Sequence, residues 1–188
     1  MSDADVERAR AAVLPEDDVV GMLLNQHARI RDLFAEVRTE SGQHKQHAFD
    51  ELRALLAVHE TAEEMIVRPV TTQVDKSVAD ARDHEEDEAG HVLRALEKMD
   101  VNSAEFDREL AEFEQAVSHH AEHEESEEFP RVRGVRNEEE LEKMGRRLRT
   151  AEKIAPTHPH PSTAGSTAAQ WTVGPIVSII DRVRDAVR

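Results

Sequence analysis

The sequence contains no cysteine, which excludes disulfides, thiolate metal ligands and thiol nucleophiles. It has no tyrosine and one tryptophan, and aromatics make up only 3% of residues. Stacking platforms for bases or flat cofactors are hard to build from so few rings. Basic charge is short as well: 24 Lys and Arg stand against 40 Asp and Glu, a formal net charge of -16 at pH 7. Such a field repels nucleic acid and anionic lipid headgroups and draws cations. No apolar run approaches the length of a bilayer span, and the opening residues MSDADVERAR carry acids where a leader would carry an apolar stretch. The expectation is a cytoplasmic protein with neither nucleic-acid nor membrane partners. Any metal has to be held by imidazole and carboxylate.

What remains is a helix-forming composition, rich in Ala, Glu, Leu, Arg and Lys, with sparse and clustered Gly and Pro. Apolar residues recur at three- and four-residue steps from about 17 to 154, the period of amphipathic helices. The first segment follows the acids of PEDD and carries Val20, Leu23, Leu24, His27, Ile30, Phe34 and Val37. The second aligns Phe49, Leu52, Leu55, His59, Glu63 and Ile66 and is expected to stop at Pro69. The third, about Lys76 to Met99, takes Val78, Ala81, Val92, Leu96 and Met99 as its apolar face. The fourth follows an Asn102 or Ser103 cap and steps regularly through Phe106, Leu110, Phe113, Val117, His120 and Glu124 before Pro130.

Short connections between these four segments predict an all-α, up-down-up-down four-helix bundle. Its expected organisation is an N-terminal extension at 1–16, the bundle at 17–132 and an additional helix at 137–154. A Pro/Ser/Thr/Ala-rich flexible linker at 155–172 would then tether a short amphipathic helix at 173–188.

Within this pattern, polar residues occupy core register where a bundle ordinarily places leucine. HETAEEMIVRP and HHAEHEESEEFP repeat one layout: His120, Glu124, Glu125 and Pro130 stand at the offsets of His59, Glu63, Glu64 and Pro69. An isolated buried carboxylate is strongly unfavourable. A His and a Glu four residues apart project from one helix face, so each pair can bind one ion or two adjacent ions. A lone His-x-x-x-Glu in an acidic helical protein is ordinarily surface charge; its repetition in core register favours ligands. His27 joins them from the first helix. On the third helix the candidates are His84, Glu85, Glu88 and His91, with the glutamates deeper on the helical wheel; His84 comes first, and Glu88 and His91 are its alternatives. The candidate metal set is therefore His27, His59, Glu63, His84, Glu88, His120 and Glu124. Glu60, Glu64, Glu122 and Glu125 read as solvated or as groups that orient ligands. His119 and His123 flank the fourth seam, and His44, His47, His158 and His160 fall in expected loops.

The stretches NQHARIRDLF, VHETAEEMIVRP and HHAEHEESEEFPRV resemble the hemerythrin family in its bacterial HHE cation-binding branch, over about residues 17 to 132. That resemblance implies a four-helix bundle around a non-haem di-iron centre, two ions with oxo and carboxylate bridges, and ligand positions at His27, His59, Glu63, His120 and Glu124. Zinc or manganese also suits imidazole plus carboxylate. The family's oxygen carriers are richer in histidine, and a carboxylate-rich site favours the ferric state. Iron oxidation, peroxide handling or sensing of dioxygen or nitric oxide is therefore expected ahead of reversible dioxygen carriage. Ferroxidase and peroxide-decomposing activities are the candidate chemistries. The alternative is a non-catalytic, metal- or redox-responsive module that meets a protein partner through its apolar terminal helix.

Overall fold

The computed structural model describes residues 1–152; the expected linker and terminal helix, 155–172 and 173–188, lie outside the described residues. Among the described residues the chain is all helical, with no strand. Helix α1 (Asp3–Ala11) starts at a reciprocal cap in which Ser2 and Asp5 satisfy each other's backbone N–H. It makes a folded element of the N-terminal extension and packs along α2 (Val19–Thr39). Asp18 caps α2 by accepting from the N–H groups of Val20 and Gly21, at 2.9 and 3.3 Å. Helix α3 (Gly42–Ala62) begins at Gly42, whose φ of +58° is left-handed backbone that glycine adopts without a Cβ clash. Its start places His44 and His47, both exposed, in the first turn and a half of the helix, where the sequence suggested a loop.

Neither proline ends its helix. After α3 the chain continues through a wide π turn, Glu63–Val67, directly into α4 (Arg68–Val74). The same happens after α6 (Ala104–His123), where a π turn at Glu124–Glu128 leads into α7 (Phe129–Val135). A proline lacks the N–H that would bond the carbonyl four residues back, and its ring crowds that carbonyl. The π turn removes the conflict by shifting the bonding to five-residue steps: Arg68 N–H donates to Glu63 O, and Phe129 N–H to Glu124 O. Pro69 and Pro130 then fall in the first turn of a resumed helix, a position that tolerates proline.

Helix α5 (Lys76–Leu96) is capped by Asp75, and α6 by Ser103, whose Oγ accepts from Phe106 N–H at 3.1 Å. Helix α8 (Glu138–Glu152) starts at the reciprocal pair Asn137 and Glu140. It buries Leu141, Met144 and Leu148 and packs against α2 and α3. Gly145 permits this approach, since a Cβ there would lie 1.9 Å from the Asp17 carbonyl oxygen.

The core changes character along its length. Phe49 meets Phe106 edge to face at 5.0 Å between ring centroids, and Phe34 meets Phe113 at 5.7 Å. Leu23, Leu33, Leu52, Leu56, Leu93, Leu96 and Leu110 fill the space around them with almost no exposure. Toward the π turns, imidazoles and carboxylates replace these apolar groups. Beyond them lies a second polar layer: the buried Arg68 guanidinium binds Glu86 and Glu128, and Thr71 Oγ1 donates to Glu128 at 2.6 Å.

Candidate metal centre

Four helical rods converge on one cluster. Helix α2 supplies His27, α3 supplies His59 with Glu63 at the following π turn, α5 supplies Glu86, and α6 supplies His120 with Glu124 at its own π turn. His27, His59, Glu63 and Glu124 are between 0 and 3% exposed, and the side chains of His120 and Glu86 are 11% and 13% exposed. Ligand atoms of His27, His59, Glu63 and Glu124 lie within 4.8 Å of one another, as do those of Glu63, Glu86, His120 and Glu124. The two sets share Glu63 and Glu124. Six side chains thus form two overlapping groups of four that could each hold a cation, with two carboxylates in common.

Each imidazole is oriented the same way. Its Nδ1 is engaged by a neighbouring oxygen at 2.8 to 2.9 Å: His27 by Glu125, His59 by the Gln26 amide and His120 by Glu85. Its Nε2 faces the shared carboxylates: His27 and His120 lie 3.2 and 3.0 Å from Glu124, and His59 lies 3.4 Å from Glu63. Oxygen partners on Nδ1 are the arrangement that fixes a histidine to ligate through Nε2. Arg10 of α1 in turn pairs with Glu125, so the N-terminal helix braces the His27 ring.

These close approaches are not well-formed hydrogen bonds. Both oxygens of Glu63, both of Glu124, and Nε2 of His27 and of His120 have no hydrogen-bond partner among the described residues. Buried polar atoms of folded proteins are ordinarily satisfied, and six converging orphans on four residues fit a cation-binding role. Without a cation, protons take up the charge. Burial, reinforced by Glu124, pushes Glu63 well above the usual carboxylate range. Burial likewise raises Glu86 to about 8, outweighing Arg68, and Glu60 to about 7. Burial opposes the charge on Glu124, but His120 and His27 outweigh it and hold that carboxyl well below its ordinary value. Burial opposes protonation of His27 and His120 too, yet the facing carboxylates raise both. His59 is lowered to about 3 by burial and by the neighbouring His27.

The sequence candidates His27, His59, Glu63, His120 and Glu124 are brought together. His84 and Glu88 are not: their side chains are 73% and 70% exposed and sit 3.6 Å from each other on the outer face of α5. The third-helix expectation is corrected accordingly, with Glu86 in the cluster. His91 is exposed as well, its Nδ1 against the Asp87 carbonyl oxygen at 2.7 Å, and Glu85 orients His120 and His123 from 2.9 Å on each Nδ1. The buried seam of α5 runs Ala79, Arg82, Glu86, Ala89, Leu93, Leu96, in steps of three and four. Ala81, Val92 and Met99, which suggest a different apolar face, are exposed or half-buried. Extending the pattern backward from Leu96 and Leu93 finds Glu86.

The model of the hemerythrin HHE cation-binding domain family matches residues 18–132, a span that holds all six cluster residues. The chain belongs to the hemerythrin HHE family. No curated protein and no solved structure matches it. A hemerythrin HHE domain is a cation-binding domain, and the orphaned nitrogens and oxygens of this one are where a cation fits. Helices α1 and α8 lie outside the hemerythrin match, yet both touch residues that orient its histidines.

Proposed function

We propose that this hemerythrin-like chain holds two iron ions, one at His27 and His59 and one at His120 and Glu86, with Glu63 and Glu124 shared, and that the pair reacts with a small oxidant. The observation that carries this is the sharing of two buried carboxylates between two four-ligand sets. Imidazole plus carboxylate suits iron, with manganese and zinc as competitors. The reading includes an up-down-up-down order of α2, α3, α5 and α6, supported by the alternating order of cluster residue and apolar residue along them: His27 precedes Phe34, His59 follows Phe49, Glu86 precedes Leu93 and His120 follows Phe113.

The size of the ligand follows from the space beside the cluster. A cavity of about 20 Å³ is lined by Ile30, Phe34, Leu56 and Val117 together with His27, His59 and His120. That is room for about one water-sized molecule, which suits dioxygen, peroxide or nitric oxide. Ferrous iron, when bound, supplies the reducing electrons. The chain's own part is to hold the imidazoles by their Nδ1 atoms, to offset most of the ions' charge with three carboxylates and to keep an apolar wall against bulk water. Anaerobic titration with Fe(II) should saturate at two ions per chain, and admitting air should produce near-ultraviolet oxo-bridge absorption. Saturation at one ion, or two ions with no optical change on oxidation by air or peroxide, would overturn the reading.

A further inference from the structure

Gln26 is 5% exposed and its amide touches two groups. Oε1 lies 2.8 Å from His59 Nδ1, and Nε2 donates to Glu152 Oε1 at 2.8 Å. A primary amide is a nearly symmetric fork with an acceptor on one arm and donors on the other. Against an imidazole alone it has two workable orientations. With Oε1 toward the ring, Nδ1 carries the proton and Nε2 keeps its lone pair. With the NH2 toward the ring, Nδ1 must accept and the proton moves to Nε2, the atom that faces Glu63 and Glu124 at 3.4 and 3.9 Å. A nitrogen that carries a proton there cannot ligate. An ionised carboxylate only accepts, so Glu152 takes the NH2 arm and removes the second orientation.

We propose that Glu152 is a positioning residue of the metal centre, which acts through Gln26 to set the His59 tautomer that leaves Nε2 available to a cation. Glu152 is the last described residue of α8 and lies outside the residues 18–132 of the family match. Control of His59 is thus a contribution of this chain's additional helix, made without touching the centre. The proposal rests on the cluster being a metal centre; the hydrogen-bond order beneath it does not.

The test inverts and then restores that order. Glu152→Lys places a donor where the acceptor stood, which turns the Gln26 amide over. The paired exchange Gln26→Glu with Glu152→Gln keeps the order, since the new carboxylate at 26 accepts both from His59 and from the new amide at 152. Glu138→Lys, an exposed change on the same helix, controls for charge. Two quantities are read on the full chain: the Kd for Fe(II) by anaerobic chelator competition, and the His59 tautomer in the metal-free protein by long-range 15N–1H correlation. Glu152→Lys is expected to weaken Fe(II) binding by about 10- to 100-fold and to move the His59 proton from Nδ1 to Nε2. The paired exchange is expected to keep the proton on Nδ1 and to restore Fe(II) binding relative to Glu152→Lys, and Glu138→Lys to keep wild-type values of both. An Nδ1–H tautomer or unchanged affinity in Glu152→Lys, or an equal loss in Glu138→Lys, overturns the proposal. Wild-type protein that binds no Fe(II) overturns the metal reading instead, even where the tautomer switches as expected.

Discussion

Glu86 and Glu88 stand two residues apart on α5 in opposite surroundings: one is beside Arg68 and the shared carboxylates, the other is in solvent beside His84. Substitution separates them. Glu86→Ala is expected to reduce iron stoichiometry from two per chain to one, because it removes an anionic ligand from the site that holds one imidazole. Glu88→Ala and His84→Ala should leave two, and elemental analysis of the three purified variants checks it. The contrast also shows what a sequence can convey about such a site. The His-x-x-x-Glu pairs were legible because His59, Glu63, His120 and Glu124 each continue an unbroken apolar seam on their own helix. Glu86 was hidden because α5 is polar enough that exposed Ala81 and half-buried Val92 mimic a seam. Gln26, which engages the His59 ring, has no spacing signal at all, since its role depends on Glu152 at 126 residues' separation.

At the scale of elements, the two prolines differ from the sequence expectation for a definite reason. A proline ends a helix held by ordinary α-helical bonding, and the π turn, which relocates the offending carbonyl, has no signature in a single residue. The helix expected at 137–154, by contrast, rests on a cap, first-turn acids and closing basic residues, and α8 spans Glu138–Glu152. Its docking is testable through Gly145. A Cβ at 1.9 Å from the Asp17 carbonyl must push the helix or the Asp17 segment aside, so Gly145→Ala should destabilise by about 1–3 kcal/mol, the usual range for overpacking. A thermal midpoint lower by several degrees is the expected readout, with faster amide exchange confined first to α8. A variant as stable as wild type would mean that α8 reseats without strain.

For the whole molecule, stability and charge are tied to the cluster. Glu60 and Glu86 have folded pKa values of about 7 and about 8 against 4.5 when unfolded. The stability their protons contribute is complete below about 4.5 and is lost as pH rises through those folded values. His27 and His120 are raised above 6.5, so their contribution is complete below 6.5 and is likewise lost on raising pH. His59, lowered from 6.5 to about 3, acts oppositely, but only below 6.5 where the unfolded ring protonates. Above pH 6.5 the signs therefore agree: the metal-free thermal midpoint should fall toward pH 8.5, and saturating Fe(II) should flatten or reverse the decline, because the cation replaces the protons. A metal-free midpoint that rises over that window would contradict it. The net charge of -16 adds a kinetic expectation, that Fe(II) capture followed by stopped flow slows as the Debye length shrinks from about 30 Å at 0.01 M to about 10 Å at 0.1 M salt. Finally, each π turn begins at a cluster glutamate and adds one residue to its helical turn, and Arg68, on the helix that resumes after the first, pairs with Glu86 and Glu128. Between Glu63 and Pro69, and between Glu124 and Pro130, gaining or losing a single residue would turn the resumed helix by about 100°. Length as well as residue identity is therefore constrained across the two stretches that carry His59, Glu63, His120 and Glu124.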